Sequence, residues 1–159
     1  MTDSGKTIIL TEPVPALFDF GATVRAHGWL ALRPFAWHEP SLTLYRVQSL
    51  SGGTVVRLGL RETPANGHVP GVQIEVDTAA ALTPRDEAEI RRAVRRMLRL
   101  DEDLTEFYRL YQQLPGWNLR LPPGGGRLLR CPSLFEETSF IPSVLPTSPG
   151  RAPNVWWNV

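Results

Sequence analysis

Residues 71–98 change hydrophobic period once, and that change limits the fold more than any other feature of this 159-residue chain. In GVQIEVDT, Val72, Ile74 and Val76 alternate with Gln73, Glu75 and Asp77. That is the period of a strand with one covered and one wet face. Thr83-Pro84-x-Asp86 then supplies a helix start: a Thr cap, Pro at the first helical position and an acid in the first turn. Beyond it Ile90, Ala93, Val94, Met97 and Leu98 recur at helical spacing. A one-faced strand followed by an amphipathic helix predicts an α+β layer, an antiparallel sheet covered by helices.

The residues before this switch supply more strands. KTIILTEP reads as an edge strand. In SLTLYRVQ, Leu42, Leu44 and the Arg46 stem alternate with Thr43, Tyr45 and Val47. GTVVRLGLRE follows the Ser51-Gly52-Gly53 turn signal, and Asn66-Gly67 marks a hairpin tip before the last strand. Together they predict a meander of three or four strands. Asp19 is placed to cap a short helix at Thr23 or its neighbours. Trp29, Phe35 and Trp37 are expected to cover one face of the sheet. A second helix is expected from near Asp101, with Leu104, Phe107, Tyr108 and Tyr111 as a core stripe.

Composition narrows the chemistry. Net charge is +1, so bulk charge points to no polyanion partner. No apolar run approaches the roughly 20 residues of a membrane span, and no signal peptide is evident at MTDSGK. The lone Cys131 excludes an intramolecular disulfide, suits the cytoplasm and reads as a small buried hydrophobe. His27 and His38 lack the spacing of metal ligands and read as surface or hydrogen-bonded side chains, so no metal or other cofactor is expected. Arg91, Arg92, Arg95, Arg96 and Arg99 form a solvated basic face or, as the functional alternative, a phosphate-contacting one. Asp101, Glu102 and Asp103 sit where acids cap a helix, not as a catalytic dyad, and Lys6, the only lysine, lies in the first strand. No nucleophile, base and metal constellation appears, which leaves an unrelated small enzyme the weakest reading.

After LPGWNLRLPPGGG, a linker by composition, Pro132 and Ser133-x-x-Glu136 announce another helix through a capping box. The apolar run it should precede never arrives. Residues 138–159 contain one charge, Arg151, and prolines at 142, 146, 149 and 153 that forbid a helix.

The blocks FDF, TVRAHGWLALRPF, LTLYRV, LRLDEDLTEFYRLY and above all GGRLLRCPSLFEE resemble the N-terminal part of helix-hairpin-helix DNA glycosylases, the 8-oxoguanine and 3-methyladenine group. The match spans residues 8–137 and is most specific at Gly125-Gly126-Arg127-Leu128-Leu129-Arg130 and Pro132 to Glu136. The resemblance implies a TATA-binding-protein-like antiparallel sheet with helices ahead of the glycosylase domain. It also implies an apolar helix carrying Thr-Thr-Asn-x-x-Trp-Ala and then Arg-Met-Val-Glu after Glu137. Read from the third base of the Glu137 codon, degenerate codons for residues 137–159 permit both stretches. The expectation is a chain truncated by a frameshift after about Glu137.

Three segments follow: 1–114 as an α+β glycosylase-type domain, 115–137 as linker and start of the lost domain, and 138–159 as an irregular out-of-frame tail. In the glycosylases, base flipping is followed by cleavage of the glycosidic bond. The catalytic Lys and Asp and the backbone-gripping helix-hairpin-helix implied by the resemblance all lie past this point. No residue here inherits those roles, so no catalytic residue is assigned and the chain is expected to be inactive alone. The alternative is a stand-alone α+β binding module for a protein or DNA partner. DNA binding of either kind is expected to be weak, non-specific and lost with salt, with no membrane and no small-molecule cofactor involved. The apolar side chains Leu128, Leu129, Leu134 and Phe135 are expected to lack a proper partner.

Overall fold

The computed structural model describes residues 6–26, 29–63, 70–113 and 121–133. Five strands form one antiparallel sheet: β1 (Lys6–Pro13), β2 (Phe35–His38), β3 (Thr43–Ser49), β4 (Val55–Glu62) and β5 (Gly71–Thr78), in the order β1-β5-β4-β3-β2. Three α-helices accompany it: α1 (Phe20–Arg25), α2 (Pro84–Leu98) and α3 (Thr105–Gln112). The architecture is α+β, as the switch of period requires.

Register explains the core. Leu10, Ile74, Leu60 and Leu44 are successive cross-strand partners, and Ile8, Val76, Leu58, Arg46 and Phe35 form the next row. Val72, Ile74, Val76, Leu58, Leu60 and Leu44 are all fully buried. They meet Ile90, Val94, Met97 and Leu98 of α2, which are also fully buried. Each such aliphatic contributes about 1.5–3 kcal/mol relative to exposure. The tips expected around Asn66-Gly67, His27 and the Trp29 side chain lie outside the described residues.

Helix ends follow local chemistry. Asp19 caps α1 by accepting from the Ala22 amide at 2.7 Å, one residue short of Thr23. Thr83 caps α2, Pro84 occupies its first turn, and Thr83 and Asp86 complete a reciprocal capping box. The hydrogen bonds that Asp86 accepts from the Thr83 amide (2.9 Å) and hydroxyl (2.7 Å) hold its carboxyl below its ordinary value.

Four expectations need correction. The sheet has a fifth strand, β2, because Phe35 and Trp37 belong to a strand rather than merely covering one. Leu42 does not share the buried side of β3: it precedes the strand with φ 47° and is 53% exposed. The second helix begins at Thr105, after a turn at 99–101, and contains no buried residue. Its stripe is therefore not core: Phe107 is 42% exposed, and Leu104, Tyr108 and Tyr111 are half-buried. Finally, Leu129 is not left without a partner. Residues 124–133 form an extended strap on the layer. The Asp19 amide donates to the Gly124 carbonyl, Leu129 N–H to Thr23 and Arg130 N–H to Met97. Leu129 and Cys131 are fully buried, so Leu129 has its partner while Leu128 stays 38% exposed. Leu134 and Phe135 lie outside the described residues.

Gly124 anchors that strap with φ +83°, and a Cβ there would sit 2.7 Å from the Phe18 carbonyl carbon. Gly53 has a similar φ, +84°, but open space around it. Gly124→Ala should therefore destabilise the protein by about 1–3 kcal/mol more than Gly53→Ala in urea titrations, since strain and a backbone clash add. For Asp86, whose folded carboxyl is depressed, the stabilisation is complete above its ordinary value of 3.8 and is lost as pH falls through the folded value. The stability gap between the native chain and Asp86→Ala should accordingly narrow on acidification below about pH 4, measured by thermal melts.

Candidate nucleic-acid interface

The five arginines of the α2 region do not form one uniform face. Helical spacing sets Arg91 and Arg95 on the side facing β1. There Glu12 is 5% exposed, a carboxylate pointing to the covered side of an edge strand. Arg91 Nη1 donates to Glu12 Oε2 at 2.9 Å and to the Thr11 carbonyl at 2.6 Å. Arg95 Nη1 donates to Glu12 Oε1 at 2.7 Å, and its Nε donates to Asp101 at 2.8 Å. Asp101 first and Glu12 second raise the pKa of Arg95 still further above its already high value. Arg99, in the left-handed conformation that ends α2, donates from its Nε to Glu102 at 2.5 Å. Three of the five positive charges are thus matched by carboxylates.

Arg92 and Arg96 lie on the other side of the helix. Arg92 is exposed and Arg96 half-buried. They line a groove of about 440 Å³ with Gln48 and Ser49 at the end of β3 and with Pro132 and Ser133 of the strap. Glu89 also borders it. Both oxygens of that carboxylate accept from Ser51, at 2.9 Å from the amide and 2.6 Å from the hydroxyl.

The acidic run at 101–103 is structural. Asp101 pairs with Arg95 and Glu102 with Arg99. Asp103 accepts from the Thr105 amide at 2.9 Å, and its carboxyl is lowered by the Thr105 hydroxyl, then that amide, with Arg127 nearby. These residues wall a cleft of about 350 Å³ with Tyr108 and Arg127. Arg127 is 2% exposed and donates from Nη1 to the Arg99 carbonyl, tying the strap to the end of α2. Burial raises the Tyr108 phenol, Arg127 opposes it, and its hydroxyl donates to the Gly125 carbonyl at 2.7 Å. Lys6 opens β1 opposite Thr78, remote from this cleft in the sheet register. His38 shares a 2.7 Å hydrogen bond with Ser41 through Nδ1.

Sequence patterning missed two features. One is Glu12, whose signal is an acid on the Leu10 side of the first strand. The other is the approach of Asp19 to Glu62 in a cavity of about 670 Å³ beside Trp37 and Arg25. Burial chiefly, and the Asp19 charge second, raise the Glu62 carboxyl. No local pattern pairs them. On α3, Phe107 stacks at 5.4 Å from Tyr108 and 5.8 Å from Tyr111, which leaves an aromatic and aliphatic surface open beside the strap.

Replacing Glu12 by Gln removes the carboxylate facing Arg91 and leaves Arg95 with Asp101 alone. With 38% and 34% of those side chains exposed, solvent screens part of the loss. Glu12→Gln should cost about 1–2 kcal/mol in chemical denaturation.

No protein-family model, curated protein or solved structure matches this chain.

Proposed function

We propose that this chain is the N-terminal α+β domain of a base-excision DNA glycosylase of the helix-hairpin-helix class, with the sheet arranged as in the TATA-binding protein, and that it is inactive by itself. One observation carries the reading. The stretch that bears the resemblance, Gly125 to Cys131, is built into the layer, with Leu129 and Cys131 in the core and Arg127 against the end of α2. At Pro132–Ser133 the sequence carries the capping signal that would open the first helix of a following domain. The five-stranded antiparallel sheet with its helical cover is compatible with such a domain. The catalytic part implied by the resemblance lies beyond residue 137, in the frame permitted by the codons of residues 137–159.

A second reading, a stand-alone binding module, draws on the same strap. Leu129 and Cys131 help cover the sheet from within the described residues.

Two measurements separate the possibilities. Incubated with duplexes carrying 8-oxoguanine or 3-methyladenine, the purified chain should release no base above a protein-free control; release would overturn the proposal. Sequencing the locus a few hundred bases past the Val159 codon should reveal a glycosylase frame. Intact downstream DNA without one would favour the binding module.

A further inference from the structure

We propose that the outer edge of β1 is a homodimer interface, where a second copy of this chain pairs antiparallel about Ile9 and joins the two sheets into one. β1 ends the strand order, so among the described residues no strand lies on its far side. The Val14 amide donates to the Pro70 carbonyl, which continues the β1–β5 register and sets its parity. Even-numbered residues of β1 bond to β5, while Thr7, Ile9 and Thr11 turn their amides and carbonyls outward. The Thr11 carbonyl points the same way, accepting from Arg91 rather than from β5. An eight-residue edge with outward backbone groups is a template for another strand. Ile9, in its middle, is 52% exposed on the open face of the sheet.

The occupant is a second copy because the strand is complementary to itself. Lys6-Thr7-Ile8-Ile9-Leu10-Thr11-Glu12 reads alike from both ends, a charge, Thr and an aliphatic about Ile9, and the two end charges are opposite in sign. A two-fold axis through Ile9 sets it opposite the partner's Ile9, and sets Thr7 opposite the partner's Thr11. These residues all face outward, so each pair exchanges both of its backbone hydrogen bonds. On the open face the pairs are Thr with Thr and Ile with Ile, favourable across strands. On the covered face Ile8 meets the partner's Leu10, and Lys6 meets the partner's Glu12. Moving the axis to Leu10 instead sets Ile8 against the partner's Glu12 and Thr7 against the partner's Pro13, which has no N–H to give. Arg91 does not block the pairing. It reaches the Thr11 carbonyl from α2, and that oxygen has a second lone pair for the amide of the partner's Thr7. The axis is closed, so association stops at two copies.

The test is sedimentation velocity of the full chain from about 1 to about 100 µM. The native chain should pass from monomer to dimer over this range and form nothing larger. Ile9→Lys puts like charges directly opposite one another and should weaken dimerisation by about tenfold or more. Val55→Lys alters another exposed apolar side chain of the open face, on β4, and should dimerise like the native chain. Cysteines read the register independently of that comparison. Paired Cα atoms in a hydrogen-bonded position lie about 5.5 Å apart, within disulfide reach, so Ile9→Cys should form a covalent dimer under oxidised glutathione. Thr7→Cys, whose two copies lie about 14 Å apart along the strands, should not. Cys131 is buried and common to both variants. A native chain that stays monomeric at the highest concentration, a dimer that survives Ile9→Lys, or cross-linking by Thr7→Cys as readily as by Ile9→Cys overturns the interface.

Discussion

The sheet has one apolar face, and covering it is the constraint to which the rest of the molecule answers. The rows through Leu10, Ile74, Leu60 and Leu44 and through Ile8, Val76 and Leu58 point to a single side. A single helix of 15 residues spans about 22 Å and cannot cover five strands alone. Phe20 and Val24 of α1 fill one margin, and Leu129 and Cys131 of the strap fill another. The strap has no helix or strand of its own, so its backbone polar groups must find partners elsewhere. They find them at the end of α2 and in α1, through Met97, Thr23 and Asp19. Gly124 is required because the strap passes against the backbone of Phe18 and Asp19 more closely than any Cβ allows.

Much of this was legible in the sequence, and the failures have physical causes. Alternation located β5 and the bulk of β3 and β4 because one face of each is dry and the other wet. The Thr83–Asp86 pair located the start of α2 because capping is a local interaction. By contrast β2 is short and follows the Arg33-Pro34 break, so neither its length nor its pattern rises above the surrounding loop. The α3 stripe has the right period and the wrong depth. Periodicity reports that one side of a helix is apolar but not whether a surface remains for it to cover. Linker composition misled in the opposite direction. Pro and Gly in LPPGGG predict irregular backbone, which residues 124–133 have, yet irregular backbone is compatible with deep burial once its amides are paired.

The arginines show the same limit at the level of the candidate interface. Their number on α2 is readable at a glance; their availability is not. Glu12 lies about 80 positions away in the chain and reaches Arg91 and Arg95 only because β1 takes the edge beside β5. Strand order thus decides which charges a passing polyanion encounters. Of a sequence-level basic face of five residues, Arg91, Arg95 and Arg99 are matched by Glu12, Asp101 and Glu102.

A cap stabilises the first turn of a helix by about 1 kcal/mol and contributes nothing to burying the sheet. On the proposed reading, then, a change of frame after residue 137 removes chemistry without removing the fold. On that reading Leu129 and Cys131, which the sheet buries, lie upstream of the change, and residues 124–133 belong energetically to the sheet and α2.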